Sequence, residues 1–456
     1  MTRLLQILGR VFGTAPSPAP ASRVTTNIAR ARARARAIDT DFSVFREGDR
    51  AVIHQKQPQL TKPLKVGDKT NLRRGHVAHE KIIGSRVWDA VPAHKGPDVR
   101  LSLPTLEEYV ALSPRLVTPI YSHDANLIVS LLDLHVNPPA TDDSQPPLEI
   151  LESGTGHGSL TLHLARAIHA ANSTPPPRPA GSQIQYLKDR ALRPGEQSTP
   201  ATDGTQSSED IDTAQREWDA WRATRKAVIH TVDVSGKFAA LAEKNVNGFR
   251  RGIYAGNVDF HVGSVEDWVA EQSKRRSKKV MALSSSSDAA PEPFLSHVML
   301  DMPSADLRIP PVAPLLKRGG YLVVFMPSIT QIGECVRTIR QHRLPFVQER
   351  VIELGLGMTS GRHWDVRLAY KKSAADPSSW APPVESDGED AAATGISSAE
   401  QAEDSEAGPD EIVLPDVPLK NDEPVMVCRP KVGIRTVGGG FIGVWRRIED
   451  PSESTT

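Results

Sequence analysis

From about residue 104 onward, short apolar runs alternate with stretches whose apolar residues recur at helical spacing. Residues 148–151 form a compact apolar run, and 160–171 follow as an amphipathic helix. Further strands are predicted over 227–234, 258–263, 295–301 and 315–325, with helices over 237–247 and 331–341. Late strands are expected over 346–354, 364–370 and 441–445. Such alternation implies an α/β domain around a mostly parallel sheet, which binds ligands at the carboxyl ends of its strands. Two helices precede it. One opens at Thr105, a hydroxyl followed by Glu107 and Glu108, and the other spans 124–134 with Leu127, Ile128, Leu131 and Leu132 on one face. Residues 40–103 follow another rhythm. Short runs at 45–48, 51–54, 81–88 and 99–103, separated by Gly-Asp, Pro and Gly-His turns, predict a small β-rich domain.

Composition changes this picture at the ends and inside the α/β region. With 37 prolines, 32 glycines and only 5% aromatic residues, part of the 456-residue chain is expected to be disordered. No apolar run approaches the about 20 residues that a membrane-spanning helix needs, so no membrane partner is expected. Two cysteines, Cys335 and Cys428, are too few for a disulfide framework or a zinc cluster. The 55 basic and 55 acidic residues cancel only in sum. Residues 1–38 hold seven arginines and no acid, the composition of a mitochondrial transit peptide, with a disordered basic arm as the rival reading. Residues 173–214, 271–293 and 373–421 are polar stretches expected as disordered insertions, the last with twelve acids in 373–419 and the second with a basic cluster at 274–279. Residues 448–456 read as a tail. The remaining body carries a surplus of five positive charges, so zero net charge does not exclude an RNA substrate.

The candidate chemistry sits at three strand ends. Glu152-Ser153-Gly154-Thr155-Gly156-His157-Gly158 joins the first strand of the α/β region to its helix. Glycines at alternate positions let a ligand approach the backbone. The acid suits a cationic ammonium or sulfonium group rather than a phosphate, which separates this loop from a dinucleotide-binding one. The spacing matches an S-adenosylmethionine loop, although a tight turn without a ligand would read the same way. Asp233, ending the next strand, is placed to accept the ribose hydroxyls of an adenosine. It lies 81 residues beyond Glu152, or 39 once 173–214 is set aside. Asp301, ending the fourth strand, either faces the transferable methyl group or caps the following turn. His76, His79 and His123 lack metal-site spacing, and no metal is expected.

These residues resemble the tRNA adenine-N1 methyltransferase family that modifies position 58 of the T-loop, catalytic-subunit type, in a mitochondrial and fungal form. The resemblance is carried by Phe45-Arg46-Glu47-Gly48-Asp49, Arg74-Gly75-His76-Val77-Ala78-His79-Glu80, Pro104-Thr105-Leu106-Glu107-Glu108-Tyr109-Val110 and Pro119-Ile120-Tyr121-Ser122-His123-Asp124. The glycine loop, Leu300-Asp301-Met302-Pro303 and Phe325-Met326-Pro327 with Gln331 follow in the same order. It spans most of 42–372 and resumes at 424–447. The resemblance implies a Rossmann-like class I S-adenosylmethionine-dependent methyltransferase fold over 104–447, behind a small N-terminal β-rich domain. It implies S-adenosylmethionine as cofactor, tRNA as substrate, and a homotetramer or a heterotetramer with a noncatalytic paralogous subunit. A mitochondrial matrix location is expected, with a nuclear one as the alternative.

By this resemblance Asp301 is catalytic, while Glu152, Gly154, Gly156, Gly158, Ser159, Leu160, Thr161, Asp233 and Ser264 contact the cofactor. Arg73, Arg74, Lys81, Arg115 and the 274–279 cluster are candidate RNA contacts. The chain departs from the family at Ser264, where an aspartate is usual, at Ser304-Ala305-Asp306 after Pro303, and at Gly438-Gly439-Gly440. Two other functions therefore stay open: a methyltransferase of mitochondrial ribosomal RNA, and a catalytically weak RNA-binding or assembly subunit.

Overall fold

A computed structural model describes residues 38–139, 145–188, 208–281, 292–355, 364–369, 425–430 and 439–449. Residues 1–37 of the proposed presequence, the acidic stretch at 373–421, Gly438 and residues 450–456 lie outside the described residues.

Near the amino end, β1 (Val52–His54), β2 (Gln59–Leu60), β3 (Lys69–Asn71) and β4 (His76–Ala78) lead into the single-turn helix α1 (His79–Ile82), then β5 (Ala90–Val91) and β6 (Val99–Ser102). Four of these strands form an antiparallel sheet in the order β2-β1-β6-β5, and β3 pairs with β4. Phe45, Ile53, Leu64, Val77, Ile82 and Leu101 fill a separate small core. Two expected strands take other forms. Residues 81–88 begin inside α1 and turn at Gly84, which has a φ of +87°, because His79 and Ile82 bury the same face of one helical turn. Residues 45–48 form no strand, and the residue before them, Val44, makes an isolated bridge to Arg86.

Two helices follow. In α2 (Leu106–Leu112), Thr105 Oγ1 accepts from the Glu108 N–H while the Glu108 carboxylate accepts from the Thr105 N–H, a reciprocal cap that fixes the helix start. The second is α3 (Ser122–Leu131). The main sheet then begins with β7 (Leu148–Ser153) and α4 (Ser159–Ala167), followed by the edge strand β8 (Gln185–Tyr186) and α5 (Ser208–Arg222). Next come β9 (Ala227–Asp233), α6 (Gly236–Gly248), β10 (Val258–Val262), α7 (Val265–Met281), β11 (Leu295–Leu300) and α8 (Ile309–Val312). Finally β12 (Leu316–Met326), α9 (Ile329–Gln341), β13 (Phe346–Leu354) and β16 (Gly440–Arg447) complete it, with β14 (Trp364–Ala369) and β15 (Val425–Pro430) lying between the last two in sequence.

The order across this eight-stranded sheet is β13-β16-β12-β11-β7-β9-β10-β8. β16 alone runs opposite to the other seven strands. Every residue of β9 and β10 is buried, as strands covered on both faces must be. One apolar core lies under α4 and α6, and a second under α7, α8 and α9. Ser360–Arg435 separates as its own compact unit, whose described part is the antiparallel pair β14 and β15.

Two stretches expected as disordered insertions contain ordered structure. Residues 173–188 run to β8 and place Leu187 in the second core, where it is 4% exposed. Residues 208–214 open α5, and 271–281 form the last turns of α7. Polar composition hid this, because α5 and α7 each bury one tryptophan (Trp218 and Trp268) amid largely charged sequence. The rest of those stretches, 189–207 and 282–291, lies outside the described residues.

The small sheet is fastened to the main domain by a bidentate ion pair. Arg251 donates to both carboxylate oxygens of Asp49, each at 2.8 Å, and to the carbonyls of Asp39, Asp41 and Val44. The Asp49 side chain is 2% exposed. Replacing Asp49 by Ala would leave a largely buried guanidinium with only the more exposed Asp39 carboxylate at 3.2 Å and is expected to cost about 1–3 kcal/mol. Urea unfolding measures that loss.

Candidate active site

The carboxyl ends of β7, β9, β10 and β11 surround a cleft of about 410 Å³, within the range of small-molecule sites. Its floor is fixed by backbone. The Asp301 N–H donates to the Ser153 carbonyl at 2.8 Å, and the Gly154 N–H to the Val232 carbonyl at 2.9 Å. Gly154 has a φ of +98°, and a Cβ there would lie 1.8 Å from the Asp301 carbonyl oxygen. No other residue fits between these two strand ends. Thr155 Oγ1 then meets Thr231 Oγ1 at 2.7 Å, and Gly158 caps α4 in a left-handed conformation.

Three carboxyl groups converge on this floor. Asp233 accepts from the N–H groups of Gly156 at 3.1 Å and Ser235 at 2.8 Å, which pins it beside the loop. Glu152, 1% exposed, accepts from the Thr161 hydroxyl at 2.6 Å. Burial pushes its pKa up to about 7; the bonds from Thr161 and Thr231 pull the other way, and the charges of Asp301 and Asp233 add to the rise. Asp301, half-buried in the cleft wall, is also raised to about 7, by desolvation and then by the Asp233 charge. Crowded carboxylates in a dry site favour a cationic ligand, because it relieves their mutual repulsion.

Of the residues expected from sequence, Glu152, Gly154, Gly156, Ser159, Leu160, Asp233 and Asp301 line the cleft. Gly158 and Thr161 stand one layer behind, the first as the helix cap and the second bonded to Glu152. Ser264 does not line it. Its N–H donates to Asp267 at 3.2 Å and its hydroxyl accepts from the Asp267 N–H at 3.0 Å, a cap on α7, while Gly263 and Val265 on either side face the cleft. A serine followed three residues later by an acid already carried that capping signal.

Other cleft residues went unassigned in the sequence. Val117 to Ile120 form one wall, held by the Ser159 hydroxyl donating to the Ile120 carbonyl. Val234, 41% exposed directly after Asp233, and Phe238 supply apolar surface. Among the histidines, His79 bonds Thr70 and the Lys65 N–H inside the small domain, and His76 stacks on His94. Among the described residues, no group of three acids, histidines or cysteines could hold a metal ion.

Without β8, and numbered along the chain, the strands of the main sheet lie in the order 3-2-1-4-5-7-6 with the seventh antiparallel. That order, with a glycine loop after the first strand and acids ending the first, second and fourth, defines a class I S-adenosylmethionine-dependent methyltransferase. No family model matches the chain. Its sequence is similar to tRNA (adenine-N1) methyltransferases. TrmI of Thermus thermophilus, a tRNA (adenine(58)-N(1))-methyltransferase, is 28% identical over 304 residues, which cover 67% of this chain and 82% of that protein. The catalytic subunit of the Candida albicans tRNA (adenine(58)-N(1))-methyltransferase is 30% identical over 125 residues, covering 27% of this chain and 34% of that one. Among solved structures, the tRNA (m1A58) methyltransferase TrmI of Aquifex aeolicus aligns over 89% of this chain and 99% of its own, with a TM-score of 0.45 and 13% identity.

The raised carboxyl pKa values set a sign for stability. Glu152 and Asp301 hold protons more tightly folded than unfolded, so their contribution is full below the ordinary carboxylate range and is lost as pH rises through about 7. Thermal melts of the ligand-free protein are expected to fall between pH 5 and pH 8, and Glu152→Gln is expected to flatten that slope.

Proposed function

We propose that this chain transfers a methyl group from S-adenosylmethionine to N1 of an adenine in tRNA, at T-loop position 58. The observation that carries the reading is the placement of Asp301 in the same cleft as Glu152 and Asp233, on a strand end tied to the glycine loop. The cleft suits S-adenosylmethionine: its volume is adequate, its floor is acidic, and Val234 and Phe238 offer apolar surface for an adenine. When bound, S-adenosylmethionine supplies an electrophilic methyl group beside its cationic sulfur.

Asp233, fixed by two N–H groups, is assigned to the ribose hydroxyls, and Glu152 to electrostatic support of the cationic end. Gly154, Gly156, Ser159 and Leu160 shape the wall, and Gly158 and Thr161 hold that wall in place. The target adenine has to leave its stack to enter such a cleft. Its N1 already carries a lone pair, so the protein needs to align rather than to activate it. Methylation makes the base cationic. Ionised Asp301 would accept from the adenine N6 amino group and stabilise the charge that develops there.

We also infer a mitochondrial location and a tetrameric assembly. The first is supported by the seven arginines and absent acids of residues 1–38, and the second by the family resemblance alone. The exposed cations Arg73, Arg74, Lys81 and Arg115 remain candidates for phosphate contacts with the RNA.

Asp301→Ala is expected to lower methyl transfer to tRNA about a hundredfold or more, a larger loss than the one it causes in S-adenosylmethionine affinity. Single-turnover assays with radiolabelled cofactor, paired with calorimetric titration, separate the two. Unchanged transfer in the variant would remove Asp301 from the reaction.

A further inference from the structure

A second cavity, of about 460 Å³, lies between the main sheet and α5 and α7. Alternate strand residues face opposite sides, so His230, Asp259 and His261 point away from the face that carries Thr231, Asp233 and Glu152. The cavity is built largely from segments that the sequence presented as insertions: Gln185 of β8, Arg222 of α5, and Gln272, Arg275 and Arg276 of α7.

Its charges are paired in a particular way. Asp259 accepts from Arg225 at 3.0 and 2.7 Å and from Arg222 at 2.9 Å, and these bonds hold it well below the usual carboxylate range despite its burial. The Arg225 and Asp259 side chains are 7% and 8% exposed. Glu149 accepts from Arg276 at 2.7 Å and from His230 at 2.9 Å. The carboxylates are therefore well supplied with donors, and four arginines stand against three acids (Asp219, Asp259 and Glu149).

What remains without a hydrogen bond are four buried ring and guanidinium nitrogens, among them donors of His261 and Arg276. His261, 3% exposed, has no hydrogen bond at either ring nitrogen among the described residues, and neither do His230 Nδ1 and Arg276 Nε. Burial and the nearby His230 push the His261 pKa down to about 3, so its ring is neutral and offers one N–H. Leaving such groups bare is costly, which points to a bound group in the cavity. A metal ion does not fit, because no group of three ligating residues occurs among the described residues. Forked guanidinium groups with spare donors suit a tetrahedral oxyanion.

We propose that this cavity is a second site, separate from the methyltransferase cleft, that binds a phosphate group through Arg275, Arg276 and His261. The phosphate can come from a small phosphorylated metabolite or from the RNA. This assignment gives a use to the basic cluster on α7, which the methyl-transfer site leaves unused, and it does not depend on the substrate proposed above.

Calorimetric titration of the full chain with inorganic phosphate at constant ionic strength tests it. One phosphate per chain is expected, at roughly millimolar affinity or tighter, with chloride not competing. Arg275→Gln, a change at the exposed rim, is expected to weaken phosphate binding about tenfold while S-adenosylmethionine binding is unchanged. His261→Phe is expected to weaken it as well, and Arg275→Gln alone decides if that variant fails to fold. If tRNA displaces the phosphate, and Arg275→Gln lowers the salt slope of tRNA binding by about one, the phosphate belongs to the RNA. If tRNA binding is indifferent to both, the ligand is a small phosphate. No phosphate binding in the wild type, or equal binding in Arg275→Gln, overturns the site.

Discussion

The contact between the ends of β7 and β11 governs the rest of the active region. Gly154 lies so close to the Asp301 carbonyl that no side chain can stand there, and the Asp301 N–H closes the ladder on Ser153. This backbone arrangement brings Asp301 into the same cleft as Glu152, and the bond from Gly156 adds Asp233. Three acids in so little water cannot all ionise easily, and two of them are pushed up to about 7. The cleft is thus electrostatically frustrated. A cationic ligand relieves that frustration, so the energy stored in desolvated carboxyl groups is available for binding the group that the reaction requires.

Local pattern made much of this legible. Strand and helix alternation from residue 148 onward corresponds to the observed elements within a few residues, because buried parallel strands are short apolar runs and their helices carry one apolar face. Gly154 and Gly156 were singled out by loop spacing and Asp233 by its strand-end position, and all three line the cleft. The reason for Gly154 was not legible. The sequence points to a ligand approaching the backbone, whereas the structure shows the backbone of another strand, 147 residues away, in the place of its missing Cβ. Contacts of that range leave no local trace.

Charge patterning misled in the opposite direction. The ends of two stretches read as insertions belong to α5 and α7, which bury Trp218 and Trp268 respectively, while most of their surface is polar. Mean hydropathy does not register one tryptophan among many charges. The same elements carry the arginines of the second cavity. The central sheet thus presents an acidic cleft at its carboxyl ends and, on one of its faces, a cavity rich in guanidinium groups. At Ser264, resemblance and local chemistry disagreed, and the capping bond to Asp267 decided the matter.

The central claim is that desolvated, partly protonated carboxyl groups form the receptor for a cationic cofactor. Calorimetry of S-adenosylmethionine binding at pH 7, repeated in buffers of different ionisation enthalpy, counts the protons exchanged. The account predicts release on the order of one proton as Glu152 and Asp301 ionise, and a smaller release for S-adenosylhomocysteine, whose sulfur is uncharged. Binding of S-adenosylmethionine with no proton release at that pH would contradict it.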